Sequence, residues 1–135
     1  MNGVAGRLMR VLGVLWAGSL WAMALWIAPL LFRWAPDRHA AGVIAAGLFR
    51  AQTLVSVVVA ALAWWRLGFK RSRGVQLATA LLVINDLFIR YLMDYVKVKG
   101  EFLRMGFGGW HGVSAAMYLI ACLAALSVVW NDDLR

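Results

Sequence analysis

The sequence predicts an all-α fold, an integral membrane bundle of four transmembrane helices forming one domain over residues 1–135. Three observations predict it. The chain is 64% hydrophobic and 15% charged, whereas soluble domains carry ~25% charged residues. Four apolar stretches each reach the roughly 20 residues needed to cross hydrocarbon. Finally, the basic residues that give a net charge of +8 flank these stretches instead of lining one face.

The first span is expected over residues 11–32, preceded by Arg7 and Arg10 and ended by Arg33, Pro36 and Asp37. It is too long for a cleaved signal peptide and lacks a small-residue cleavage site followed by a soluble domain, so it is expected to stay in the mature protein. The second, 40–67, is longer than one crossing requires. Its first half is rich in small residues, with Gly42 and Gly47 allowing close helix contact. The third, 75–96, carries polar residues within an apolar run. The fourth, 107–130, is followed by the polar tail Asn131–Arg135.

The densest basic cluster, Arg66, Lys70, Arg71 and Arg73, joins the second and third spans as a cytoplasmic loop would. With an inward N-terminus, seven basic residues lie inside (these four, Arg7, Arg10 and Arg135). Five lie outside: Arg33, Arg38, Lys97, Lys99 and Arg104. Both termini are therefore expected in the cytoplasm. Trp34, Trp64, Trp65, Trp110 and Trp130 sit near span ends, where interfacial indoles belong. Trp16, Trp21 and Trp26 read as packing residues.

The third span carries Asn85, Asp86, Arg90 and Asp94. A charge in hydrocarbon costs a few kcal/mol, so such residues turn to the bundle interior and find partners. The i,i+4 spacing of Asp86, Arg90 and Asp94 puts all three on one helix face. Counting helical rise at about 1.5 Å per residue brings Pro29, Arg50, Arg90, Asp94, His111 and Ser114 to similar depth. Asn85 and Asp86 fall deeper. Two readings of this layer stand side by side. It is a pocket for an ion, proton relay, haem or anionic headgroup, or it is a satisfied network that fixes helix register. For Arg50 the favoured reading is snorkelling to the interface. For His111 it is a hydrogen-bonded structural role, with metal ligation by His111 and Asp94 as the alternative. Cys122 reads as a small hydrophobe on the His111, Ser114 and Tyr118 face.

A single cysteine excludes an internal disulfide and a cysteine metal cage. No nucleophile–base pair, phosphate loop or paired-carboxylate arrangement is present, which argues against an enzyme. The basic balance points to anionic lipid headgroups, not to nucleic acid.

Two stretches carry a family resemblance. From Leu15 to Phe49, the residues Gly18, Trp21, Ala28, Pro29, Leu31, Phe32, Pro36, Ala41, Gly42, Leu48 and Phe49 follow one pattern. From Trp110 to Ile120, His111, Gly112 and Ser114 follow a His-Gly-x-Ser pattern, and Asn85 matches in the third span. The chain resembles the transmembrane protein 205-like family, and is distantly similar to copper-resistance D-like membrane proteins, some relatives of which bind haem. The resemblance implies a four-helix protein of a bacterial inner membrane, in a group without an established activity whose eukaryotic members are linked to resistance to platinum drugs. Three functions are then in view: binding or transport of a small ligand or metal ion, an accessory subunit of a larger membrane complex, and a haem or redox-cofactor protein. The expected partners are membrane lipids, other integral membrane subunits or further copies of the chain. The cofactor stays unknown.

Overall fold

The computed structural model describes residues 3–130. The tail 131–135 and the side chains of Phe107, Val129 and Trp130 fall outside the described residues, and with them the interfacial role expected of Trp130. Four helical rods result, each containing a segment long and apolar enough to span a membrane. The first rod runs as α1 (Val4–Ala22), a π-helical turn (Met23–Ile27) and α2 (Ala28–Trp34). The second is α3 (Arg38–Leu67), one unbroken helix of 30 residues. The third runs through a 3-10 turn (Lys70–Ser72), α4 (Arg73–Ile84), a second π turn (Asn85–Ile89) and α5 (Arg90–Lys99). The fourth is α6 (Phe107–Ala125) followed by the short α7 (Ser127–Trp130). No β-strand occurs among the described residues.

Local chemistry sets several of these limits. Asp37 is extended and accepts a hydrogen bond from the Ala40 amide at 2.7 Å, which satisfies a free donor at the start of α3. Gly100 ends α5 at φ +96, a conformation glycine reaches without steric cost. The rods overrun the expected spans. The first starts at Val4 and the third extends to Lys99, because helical bonding continues past the apolar run. The fourth departs from one continuous helix over 107–130. It breaks at Leu126, whose amide bonds the Leu123 carbonyl at 3.2 Å instead of the i−4 group.

Each rod packs on its sequence neighbours, first on second, second on third and third on fourth. The fourth closes the ring through contacts of α1 with α6 and α7. The main core lies in the half of the bundle that holds the 68–69 connection. There Trp16, Leu20, Val59, Ala63, Val75, Ala78, Ala121, Cys122, Ala125 and Val128 are buried. Small residues bring the axes close. A Cβ on Gly74 would collide with the Ser127 side chain, so only glycine fits between α4 and the fourth rod.

Hydrogen bonds tie the rods across this core. The Trp16 indole donates to Ser56 Oγ at 2.8 Å, Gln52 donates to Ser19 Oγ at 2.8 Å, and Tyr118 donates to the Leu20 carbonyl at 2.9 Å. Trp21 likewise donates to the Cys122 carbonyl at 3.0 Å. In a membrane such bonds average about 0.6 kcal/mol each, so the set orders the rods more than it stabilises them. Trp26 corrects the packing expectation. It is 72% exposed, on a turn whose buried residue is Met23, and so belongs to the outward apolar surface.

Candidate functional site

The other half of the bundle, toward the 35–37 loop and the 100–106 connection, holds a smaller apolar cluster around Ile89, Val96 and Trp110 and an open space beside it. A cavity of about 560 Å³ lies between the rods, lined from all four of them. Both π turns border it. Ala24 and Leu25 come from the first, Asn85 and Asp86 from the second. Such turns are rare and concentrate at functional sites. The first has a local cause. Pro29 has no amide hydrogen to give the Leu25 carbonyl, and its ring crowds that group, so the regular bonding ladder cannot continue there. For the second we have no equivalent sequence cause; its side chains bond across to α6 and α3 instead.

Asn85 and Ser114 form a reciprocal pair. Ser114 Oγ donates to Asn85 Oδ1 at 2.7 Å, and Asn85 Nδ2 donates to the Ser114 carbonyl at 3.2 Å. One turn away, Arg90 Nη1 donates to Asp86 Oδ1 at 2.9 Å. Arg50 Nε approaches the other carboxylate oxygen at 3.6 Å from α3. The Asp86 side chain is 12% exposed, Arg90 32% and Arg50 61%. One carboxylate therefore serves two guanidiniums, linking the second and third rods. The rest of the lining is mainly apolar, including Leu25, Phe32, Phe49, Leu82, Met93 and Leu119. Phe49 meets Tyr118 edge to face with ring centroids 5.0 Å apart.

Of the seven residues expected in a polar layer, Asn85, Asp86, Arg90, His111 and Ser114 line this cavity together with Pro29. Arg50 does not line it. Its side chain is largely exposed, as snorkelling requires, while its Nε touches Asp86 from outside. Asp94 is also outside. It is exposed, two turns or ~12 Å beyond Asp86 along the axis, and Arg90 turns back to Asp86 instead. The expected row Asp86–Arg90–Asp94 is thus paired only at its first step. Thr53, Met93 and Phe49 were not singled out as lining residues. Thr53 and Phe49 sit at helical spacing from Arg50 and Ala46, a signal masked by the many apolar residues around them.

Among the described residues, no three of His, Cys, Asp and Glu gather to hold an ion. The cavity wall carries one imidazole, His111, and one thioether, Met93. The pairing of His111 with Asp94 loses its geometric basis, since Asp94 does not line the cavity that His111 lines. His39 lies on an exposed first turn of α3. No family model, curated protein or solved structure matches the chain.

Proposed function

We propose that the protein binds a small, largely apolar molecule within the membrane, as a ligand-binding or carrier protein and not as an enzyme. The observation that carries this reading is the cavity. Its volume of about 560 Å³ falls in the ~300–1,000 Å³ range of small-molecule sites, which are mostly apolar with a few placed polar groups. The Asp86–Arg90 pair and the Asn85–Ser114 pair supply those polar groups on one wall.

Membership of the transmembrane protein 205-like family is part of the same proposal. Seven of the fifteen residues that carry the resemblance, Ala28, Pro29, Phe32, Phe49, Asn85, His111 and Ser114, line this one cavity. The count of basic residues supports an orientation with both termini cytoplasmic, and the bacterial inner membrane is what the family resemblance implies.

Purification in a mild detergent tests the reading, with native mass spectrometry and solvent extraction of bound small molecules. The wild-type protein is expected to retain a non-covalent small molecule near one per chain. Ala46→Phe and Ala115→Phe fill the cavity and are expected to lose it while remaining helical. If filled and wild-type proteins carry the same small molecules, the cavity is not the binding site. A stoichiometric second protein with no small molecule would instead support the accessory-subunit role.

A further inference from the structure

Resting on the ligand-binding reading above, we propose that the cavity holds the anionic head of a lipid-like molecule against Arg90, with its apolar chain leaving sideways between the first and fourth rods. The charge balance sets the head. Arg50 and Arg90 converge on the single carboxylate of Asp86, which leaves one positive charge in excess. Arg90 lines the cavity and gives one N–H to Asp86. A guanidinium has five such donors, in a fork that matches a carboxylate or phosphate. Asp94 is the nearest further acid on the same rod, but it is exposed and takes no bond from Arg90. Arg50 is largely exposed and stays outside the cavity, so what faces the cavity is a guanidinium that shares its counter-charge and keeps unused N–H donors. An anion satisfies those donors and a cation does not.

The shape sets the chain. α2 packs on α3, and among the described residues no comparable packing joins α2 to α6. The ring of rods is closed in the solid half and parted in the hollow half. Leu25 and Phe32 form one lip of the gap, Ala115 and Leu119 the other. All four are exposed and apolar, so the opening faces acyl chains and not water. A molecule reaching the cavity by this route must itself be at home in the bilayer.

The test uses the full chain in phosphatidylcholine vesicles and a photoreactive palmitate bearing a diazirine on its chain. Oleate, lysophosphatidate and oleyl alcohol serve as competitors. The label is expected on peptides containing Leu25, Phe32, Ala115 or Leu119. Oleate or lysophosphatidate should displace it at about tenfold lower concentration than oleyl alcohol, the size of effect a charge-assisted hydrogen bond gives. The stronger of the two anions tells a free fatty acid from a phospholipid headgroup. Arg90→Gln should abolish the discrimination. Arg50→Gln keeps the Arg90–Asp86 contact but removes the excess charge, and should reduce it if Arg90→Gln does not fold. Equal competition by oleyl alcohol overturns the anionic head while leaving a ligand cavity in place. Absence of label from the cavity overturns the underlying reading as well.

Discussion

Replacing Asp86 with Asn removes the carboxylate that two guanidiniums share, and its consequence can be sized. At 2.9 Å and an effective dielectric of ~20, the gross attraction to Arg90 is about 6 kcal/mol, most of it offset by desolvation. Stranding a charge by deleting its partner costs ~3–5 kcal/mol when fully buried. Arg90 is 32% exposed and Arg50 61%, so both can reach toward polar surroundings. The lower end, about 3 kcal/mol, is therefore expected for Asp86→Asn. Arg90→Gln leaves Asp86 facing Arg50 and should cost about half as much. The double variant should be about as unstable as Asp86→Asn alone, a coupling of ~1.5 kcal/mol. Reversible unfolding in mixed micelles with rising dodecyl sulfate, followed by circular dichroism, measures all four corners of the cycle. A loss below ~0.5 kcal/mol for Asp86→Asn, or single effects that simply add, would refute the claim that this pair is shielded from lipid and shared.

Four further predictions address the rest of the bundle. Gly74→Ala drives a methyl into Ser127 and should cost ~1–3 kcal/mol by overpacking in the same unfolding assay; Ser127→Ala should be neutral or mildly stabilising, because its buried hydroxyl finds no partner among the described residues. Leu103 and Arg104 both hold positive φ, at 51 and 64, in the tight turn bridged by Phe102 and Met105. Asn at 103 and Gly at 104 suit that turn, so Leu103→Asn with Arg104→Gly should raise stability by about 1–2 kcal/mol. Cys122 is fully buried in the solid half, and maleimide should label it only once the bundle unfolds; rapid labelling of the folded protein would contradict the packing described.

Much of the architecture was legible because hydrocarbon imposes a length and an apolarity that any spanning helix must meet. The meeting of Asn85, Asp86, Arg90, His111 and Ser114 was legible for the same reason, since depth follows from residue count once the rods alternate in direction. Finer features depend on neighbours that composition does not reveal. The π turn at Met23–Ile27 could be suspected from Pro29. The turn at Asn85–Ile89 has no such marker, because its side chains bond to rods distant in sequence. Trp26 looked like Trp16 and Trp21, yet only those two find an acceptor across the core. Asp94 has the spacing of its charged neighbours and fails by direction, because Met93 beside it lines the cavity while Asp94 faces outward and is exposed.

The second π turn also carries an implication for insertions and deletions. It stores one surplus residue in the middle of a rod whose α4 end is clamped by Gly74 against Ser127. Removing a residue between 87 and 89 would let the turn relax to regular α-helix and leave the segment beyond it close to its present orientation. Asp86 and Arg90 would then stand three apart, still within pairing reach on one helix face. The same deletion within α4 or α5 would instead turn everything beyond it by about 100°, so this turn is the place in the rod where a one-residue change in length is absorbed.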